Sequence, residues 1–326
     1  MLTIAGGWVW DFWLADDGEQ FHAFFLNAPT SLGDEERRHR AARIGHAVSS
    51  DLQSWQLRSS PFEVGLPGSF DETATWTGSV VRGDDGLWRM FYTGSQFLGD
   101  EPSVANIETV GVAVSDDLET WTKQPGPVVA AGSRWYETWG SSDWKEEAWR
   151  DPWVFRDPAG KGWHMLVTAR ANRGPLDDRG VIGHAFSTDL VTWEVRPPLT
   201  KPGSGFAHLE VPQVEQVDGI WVLLFSCTRS ALSAEFAQRF PDAGTWAVVI
   251  DDPTKQFDLS RARPLTTEDL YSGRLTRGRD GQWVFLAFEN HRPHGRFTGG
   301  ISDPISFRLD ESDQPLIVDA IPGIQR

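Results

Sequence analysis

The chain repeats one short pattern five times, and this repetition restricts its fold more than any other feature of the sequence. Each copy has a glycine, usually preceded by aspartate, followed by an aromatic residue and a short apolar run. The glycines lie about 57 to 76 residues apart, so one unit of nearly constant size fills the chain. We expect five β-hairpins, because Asp-Gly supplies the positive φ that a tight turn requires. The copies lie at Asp17-Gly18, Asp85-Gly86, Lys161-Gly162, Asp218-Gly219 and Asp280-Gly281.

A second pattern, GxAxSxDLxxW, follows the hairpin in three units. It starts at Gly45, Gly111 and Gly183. Its alternation is typical of a strand, and Ser-x-Asp favours a turn closed by side-chain hydrogen bonds. Five units of about four short strands predict an all-β, five-bladed β-propeller, with a single domain over residues 1–326. A β-sandwich is the rival architecture, but it does not predict five similarly spaced copies.

The charge of the chain disfavours two classes of partner. Its 326 residues carry a net charge of −16, so a nucleic acid or an anionic membrane would be bound against the overall field. No stretch approaches the roughly 18 apolar residues of a membrane span, and the N-terminus lacks the features of a signal peptide. We therefore expect a cytoplasmic protein, although a leader already removed from a secreted protein would leave the same sequence. The oligomeric state is left open.

The sequence contains no pattern typical of a metal or cofactor site. The single cysteine, Cys227, excludes a cysteine-based zinc cluster, and the histidines show neither HxH nor HExxH spacing. No Walker-type glycine loop is present. His46 and His184 belong to the repeated pattern, which favours a structural role. We therefore predict no metal and no cofactor.

Three carboxylates occupy matching places in three of the five units. In a propeller the first strand of each blade runs along the central channel, so equivalent positions on these strands converge. Asp11, Asp151 and Glu210 stand at such positions just before the hairpin turns. Carboxylates directed at one channel repel each other and lose hydration, so their convergence requires a functional explanation. Two carboxylates on either side of a bond are what glycoside hydrolysis requires, and a third can tune them.

Other residues near these positions suit a sugar ligand. The chain has 17 tryptophans, and Trp10, Trp76 and Trp13 are candidates for stacking against a sugar ring. Arg150 is either a charge partner of Asp151 or a fork that holds pocket carboxylates or sugar oxygens. His208 either lines the pocket or forms a hydrogen bond there. The long segments from Thr30 to Arg43 and from Trp135 to Trp149 are expected on the rim, where they shape the pocket.

Four motifs, one in each of the first four blades, resemble the invertase and levansucrase group, glycoside hydrolase families 32 and 68. They are Trp-Asp-Phe-Trp (10–13), Trp-Thr-Gly-Ser (76–79), Arg-Asp-Pro (150–152) and Glu-Val-Pro (210–212). The resemblance implies a retaining enzyme acting on β-fructofuranosides, as a hydrolase or a fructosyltransferase. In that group Asp11 would be the nucleophile, Glu210 the acid/base and Asp151 a transition-state stabiliser. It also assigns Ser79, Arg229 and Tyr271 to substrate binding.

The chain differs from both subgroups. Its first motif is closer to the levansucrase form, and Val211 stands where invertase-like members carry Cys. The fifth blade is expected to end near residue 310, which leaves a tail too short for the C-terminal β-sandwich of invertase-like chains.

Two other functions remain open. One is an inverting propeller glycosidase acting on xylosides or arabinosides, with more widely spaced carboxylates. The other is a non-catalytic sugar-binding propeller, in which Asp11 and Glu210 would be neutralised by nearby basic side chains.

Overall fold

The computed structural model describes residues 1–290, 297 and 299–318, and these form a five-bladed β-propeller. Each blade is an antiparallel sheet in which strands follow one another in chain order, and β9 adds a parallel strand to the second blade. None of the helices in the described part of the chain is long and apolar enough to cross a bilayer.

The strands of the first two blades are β1 (Gly7–Asp16), β2 (Phe21–Pro29), β3 (Arg43–Ser49) and β4 (Gln56–Leu57), then β5 (Ala74–Arg82), β6 (Trp88–Phe97), β7 (Asn106–Ser115), β8 (Thr122–Lys123) and β9 (Glu146–Glu147). The third and fourth blades contain β10 (Trp149–Arg156), β11 (Trp163–Arg170), β12 (Gly180–Ser187) and β13 (Glu194–Arg196), then β14 (Glu210–Val217), β15 (Ile220–Cys227), β16 (Gly244–Ile250) and β17 (Arg263–Pro264). The fifth blade contains β18 (Leu270–Arg277), β19 (Trp283–Glu289), β20 (Ile305–Leu309) and β21 (Pro315–Val318). The helix α1 spans Ala234–Arg239, and 3₁₀ turns span Thr30–Leu32, Glu35–His39, Leu176–Asp178 and Arg229–Ala231.

Each repeated glycine lies in the turn between the first and second strands of its blade, as the sequence predicts. Gly18, with φ of 97°, connects β1 to β2, and Gly86, with φ of 83°, connects β5 to β6. These positive φ values are strained for residues with a side chain. The repeat therefore encodes five hairpins.

The second pattern forms the third strand of a blade and the turn after it. In the first blade the Asp51 carboxylate accepts hydrogen bonds from the Ser49 hydroxyl and from the backbone N–H groups of Gln53 and Ser54. Leu52 adopts a φ of 63° within this turn. The same turn recurs after β7 and β12. These contacts confirm the structural reading of the pattern.

The five first strands form the inner ring of the propeller. Each of β1, β5, β10, β14 and β18 contacts the next, and β18 contacts β1 to close the ring. The fifth blade extends to Val318, past the end near residue 310 that the sequence predicts, because β21 pairs with β20. The rest of the predicted domain, 319–326, lies outside the described residues.

All five inner strands have a break in register at the same level. The breaks lie between Val9 and Phe12, Trp76 and Gly78, Arg150 and Trp153, Glu210 and Gln213, and Tyr271 and Arg274. A β-bulge of this kind turns a side chain away from the regular alternation. Asp151, Val211 and Ser272 lie in three of these bulges with φ values of 57°, 53° and 52°. The bulges aim these segments at a shared space.

Candidate active site

A cavity of about 520 Å³ lies where the bulges of the inner strands meet. Asp11, Asp151 and Glu210, from three different blades, all line it. Its volume falls within the range usual for small-molecule sites. The three carboxylates, which are up to 199 positions apart in the chain, therefore share one cavity.

Asp11 accepts hydrogen bonds from two hydroxyls of neighbouring blades. Ser272 Oγ donates to Oδ1 at 2.6 Å, and Thr77 Oγ1 donates to Oδ2 at 3.0 Å. Burial raises the pKa of Asp11, and the charge of Glu210 adds to this, while both hydroxyls lower it; the pKa stays above its ordinary value. The carboxylate of Asp11 is therefore harder to ionise than an exposed one.

Asp151 is almost fully buried, and its Oδ2 accepts two hydrogen bonds, one from Thr168 of the same blade and one from Val211 of the next blade. Thr168 Oγ1 donates at 2.8 Å and the Val211 backbone N–H at 3.1 Å. Burial raises the pKa of Asp151 to about 6, even though Arg150 lowers it. Asp11 also contributes to the increase through charge repulsion. Asp151 is therefore harder to ionise than an exposed aspartate.

Glu210 is held in its ionised form. Arg150 Nη2 donates to Oε1 at 2.8 Å, and the Tyr271 hydroxyl donates to Oε2 at 2.5 Å. Burial alone would raise the pKa of Glu210, but Arg150, His208 and Tyr271 outweigh it, so the pKa lies below its ordinary value. The pKa shifts of Asp11 and Glu210 therefore run in opposite directions.

Arg150 connects four carboxylates around the cavity. Nη1 lies 2.9 Å from Glu108 Oε2 and 3.1 Å from Glu146 Oε1, and Nε lies 3.6 Å from Asp151 Oδ2. Nη2 pairs with Glu210. Glu108 is fully buried, and burial raises its pKa. Arg150 is therefore both a charge partner of Asp151 and a fork that holds carboxylates of the cavity, in agreement with both roles predicted for it.

Several residues predicted to bind substrate do lie at the cavity. Trp10, Trp76, Arg150 and Tyr271 line it. Trp76 is fixed by a hydrogen bond from Nε1 to the His39 carbonyl at 2.9 Å. The rings therefore offer apolar wall area beside the carboxylates.

His208 lies behind this wall. It is not among the lining residues; its ring lies 3.3 Å from Arg150 Nη2 and 3.4 Å from Glu146 Oε1. Its ring also packs against Trp144 at 5.3 Å between centroids. Of the two roles predicted for His208, the structure therefore supports the hydrogen bond.

Three predicted binding residues lie elsewhere. Trp13 is fully buried in the core of the first blade, stacked on Phe24, because the bulge before it turns its ring away from the cavity. Ser79 is buried, and its Oγ accepts a hydrogen bond from the Val154 N–H at 3.0 Å, so it connects two blades. Arg229 lies exposed in a 3₁₀ turn after β15, and its neighbour Thr228 lines the cavity instead. The burial of Trp13 and Ser79 corrects the sequence prediction, and the binding role of Arg229 stays a prediction.

Other residues at the site were not predicted. Thr77 and Ser272 support Asp11; Thr77 belongs to the Trp-Thr-Gly-Ser motif, and Ser272 directly follows Tyr271. Glu108 and Glu146 partner Arg150, and no local pattern marks them. Both long rim segments contribute as expected, the first through residues such as Arg38 and the second through Glu146.

Potential metal ligands also converge away from the cavity. Single ligand atoms of His22, His46 and Glu119 lie within 4.8 Å of one another. His22 Nδ1 and His46 Nε2 lie 3.0 Å apart, at hydrogen-bond distance. A similar pair, His164 and His184, lies 2.8 Å apart in the third blade. The recurrence favours the structural role predicted for His46 and His184.

Comparison with known proteins agrees with this architecture. Residues 13–287 match the sequence model of the glycosyl hydrolases family 32 N-terminal domain. Raffinose invertase of Escherichia coli is 26% identical over 209 residues, which are 64% of this chain and 38% of that protein. Sucrose-6-phosphate hydrolase of Escherichia coli is 25% identical over 201 residues, which are 59% of this chain and 39% of that protein. The match thus spans about two fifths of either relative.

Solved structures share the fold. Inulosucrase from Halalkalicoccus jeotgali bound to kestose has a TM-score of 0.76 at 22% identity, covering 96% of this chain and 87% of that chain. Bacillus subtilis levansucrase has a TM-score of 0.71 at 15% identity, covering 96% and 86%. At these identities the likeness establishes the fold alone. The family match over most of the chain goes further: this chain belongs to glycosyl hydrolase family 32, within the invertase and levansucrase group.

Proposed function

We propose that this chain is a retaining glycoside hydrolase or fructosyltransferase that acts on β-fructofuranosides such as sucrose or fructo-oligosaccharides. The observation that carries the proposal is the pairing of Asp11 and Glu210. They come from different blades, line one cavity, and are each held by a hydroxyl of the fifth blade. Two carboxylates in one cavity supply the pair that glycoside hydrolysis requires, and the resemblance to the invertase and levansucrase group favours the retaining mechanism.

In the first step a carboxylate oxygen of Asp11 attacks the anomeric carbon of the fructosyl group. The bond from that carbon to the leaving oxygen breaks, and the oxygen takes a proton from Glu210. In the second step Glu210 accepts a proton from water or a sugar hydroxyl. The oxygen of that water or hydroxyl attacks the anomeric carbon, and the bond from this carbon to Asp11 breaks.

Substrate binding has to change the order of protonation. Without substrate, Arg150 and Tyr271 favour the ionised form of Glu210, whereas burial raises the pKa of Asp11 and Asp151. Sugar hydroxyls that donate to Asp11 and Asp151 would stabilise their ionised forms. Two neighbouring negative charges then raise the pKa of Glu210, which allows it to act as the acid. In this scheme ionised Asp151 binds fructosyl hydroxyls and stabilises the positive charge of the transition state.

The charges at the rim favour an uncharged substrate. Arg37 pairs with Glu101 at 2.9 Å, and Arg40 donates to the carbonyls of Gly99 and Ser103. These two guanidinium groups are already engaged, so a phosphorylated sugar would have to displace existing contacts. We therefore expect sucrose to be preferred over its phosphate ester.

The test is to incubate the protein with sucrose, raffinose, sucrose 6-phosphate, and inulin-type and levan-type oligosaccharides, and to identify each released or elongated species. We expect fructosyl release or transfer. Asp11→Asn and Glu210→Gln should reduce the rate by about 10³-fold or more while the fold is retained. Asp84→Asn and Glu194→Gln are matched controls, since these side chains are 75% and 72% exposed, and they should leave the rate unchanged.

Product stereochemistry separates the retaining mechanism from the inverting one. In the presence of methanol, a retaining enzyme gives the methyl β-fructofuranoside. The methyl α-fructofuranoside would contradict the covalent role of Asp11. Binding of these sugars without turnover would favour a sugar-binding propeller, and cleavage of xylosides or arabinosides alone would favour the pentosidase alternative.

A further inference from the structure

Arg274 of β18 is a buried arginine that extends into the centre of the propeller. It is 1% exposed and is not among the residues that line the cavity. Its Nε donates to the carbonyl of Phe12 at 3.2 Å. Its Nη1 donates to the carbonyls of Val211 at 3.3 Å and Pro212 at 3.0 Å. A single side chain of the fifth blade therefore bonds to backbone of the first and fourth blades.

The bonded carbonyls stand next to the two carboxylates that we propose as nucleophile and acid/base. Phe12 follows Asp11 directly, while Val211 and Pro212 follow Glu210. All three carbonyls belong to or border the bulges that aim those carboxylates into the cavity. A planar guanidinium offers several donors in a fixed arrangement, so it can hold two backbones at a set separation.

We propose that Arg274 is the positioning residue of this site, one that fixes the separation of Asp11 and Glu210 from behind and places a positive charge next to Asp11. It does not touch the reacting atoms. The assignment rests on the proposed function for its catalytic meaning, and a displacement of about 1 Å is enough to slow an enzyme about 100-fold.

The charged groups that face Arg274 support this assignment. They are Asp151, Asp11 and Glu215, from three different inner strands. The pKa of Asp11 is raised by burial and by Glu210, and Arg274 acts in the opposite direction. The Trp153 ring, 5.2 Å from the guanidinium carbon, packs over it. Without Arg274, Asp11 would be ionised over a narrower range of pH.

The first experiment compares Arg274→Met and Arg274→Lys with the wild type in steady-state hydrolysis of sucrose across pH. For Arg274→Met we expect kcat to fall about 100-fold with a much smaller change in KM. The acidic limb of the kcat profile should move to higher pH, because Asp11 loses a cation that favours its ionised form. For Arg274→Lys we expect a fall in kcat of at least about 10-fold and an unchanged acidic limb, because the charge stays and the fork is lost.

Arg277→Met is the matched control. Arg277 lies on the same strand but is exposed and pairs with Asp218 at 4.0 Å. We expect this variant to keep the wild-type kcat and pH profile. A purely structural role for Arg274 would lower the stability without moving the acidic limb, and that result would overturn the proposal. Wild-type kcat in Arg274→Lys would overturn the positioning role in the same way.

A second experiment needs no sugar and separates this inference from the proposed function. Melting temperatures are measured for the wild type, Arg274→Met, Asp11→Asn and the double variant at pH 8 and pH 5. At pH 8 we expect Asp11→Asn to reduce the loss caused by Arg274→Met by several degrees, because the unpaired carboxylate is then neutral. At pH 5 Asp11→Asn should reduce the loss caused by Arg274→Met by less, because Asp11 is then less ionised. Additive losses at both pH values would overturn the charge pairing, even if the wild type cleaves sucrose. If Arg274→Met does not fold, Arg274→Gln takes its place in both experiments, and we expect it to behave as described for the Met variant.

Discussion

Tyr271 and Ser272 are adjacent in the chain, yet their hydroxyls donate to carboxylates of two different blades. Tyr271 donates to Glu210, and Ser272 donates to Asp11. Successive side chains of a regular strand point to opposite faces. The bulge, with a φ of 52° at Ser272, breaks this alternation and directs both hydroxyls to carboxylates that line the same cavity. A two-residue segment thus supports both proposed catalytic carboxylates.

Removing the Tyr271 hydroxyl should change the titration of Glu210. The hydroxyl stabilises the ionised carboxylate, so Tyr271→Phe should raise the pKa of Glu210. We expect the basic limb of the kcat profile for sucrose, which reports the enzyme–substrate complex, to move to higher pH and the maximal kcat to fall about 10-fold or more. Tyr136→Phe is the control, since the Tyr136 hydroxyl donates to the Arg196 carbonyl. An identical pH profile for Tyr271→Phe would argue against Glu210 as the acid.

Removing the Ser272 hydroxyl should affect the acidic limb of the pH profile. This hydroxyl lowers the pKa of Asp11, so Ser272→Ala should raise it further. The acidic limb of the kcat profile, which reports the enzyme–substrate complex, should then move to higher pH, while its basic limb stays in place. Ser230→Ala, an exposed change in the fourth blade, should move neither limb. Movement of the basic limb alone in Ser272→Ala would contradict Asp11 as the nucleophile.

Asp151 should reduce the stability of the protein at neutral pH. Its pKa is about 6 in the folded protein against a usual 3.8, so the unfolded chain ionises first as the pH rises. Stability that is present below pH 4 is lost as the pH rises through 6, by about 3 kcal/mol at most. Asp151→Asn, which cannot ionise, should therefore unfold at higher urea concentration than the wild type at pH 7.5, and at a similar concentration at pH 4. A less stable variant at pH 7.5 would show that the charge is stabilising.

Truncation of two tryptophans should affect different properties, substrate binding for Trp76 and stability for Trp13. Trp76 lines the cavity, so Trp76→Ala should raise KM about 10-fold or more with a small change in the free energy of unfolding. Trp13 is fully buried, so Trp13→Ala should lower that free energy by about 3 to 5 kcal/mol. Urea unfolding and steady-state kinetics measure both effects. An unchanged KM in Trp76→Ala would remove it from the substrate site.

The blades and the positions of the three carboxylates could be predicted from the sequence. Asp-Gly turns and Ser-x-Asp turns are local, since each depends on a few neighbouring residues. Because the unit repeats, equivalent positions such as Asp11, Asp151 and Glu210 are brought to the same place by the ring. Repetition thus turned a local pattern into a long-range prediction.

Only the tertiary structure decided which side chains contact each other at the site. Asp11 and Trp13 are two residues apart in one motif and would share a face of a regular strand, yet the break in register between Val9 and Phe12 leaves Asp11 at the cavity and Trp13 in the core. Likewise, the bonds from Arg274 to backbone of two other blades exist only once the ring is closed. Bulges and closure depend on pairing between distant segments, so no local pattern in this chain encodes which hydroxyl or guanidinium reaches which carboxylate.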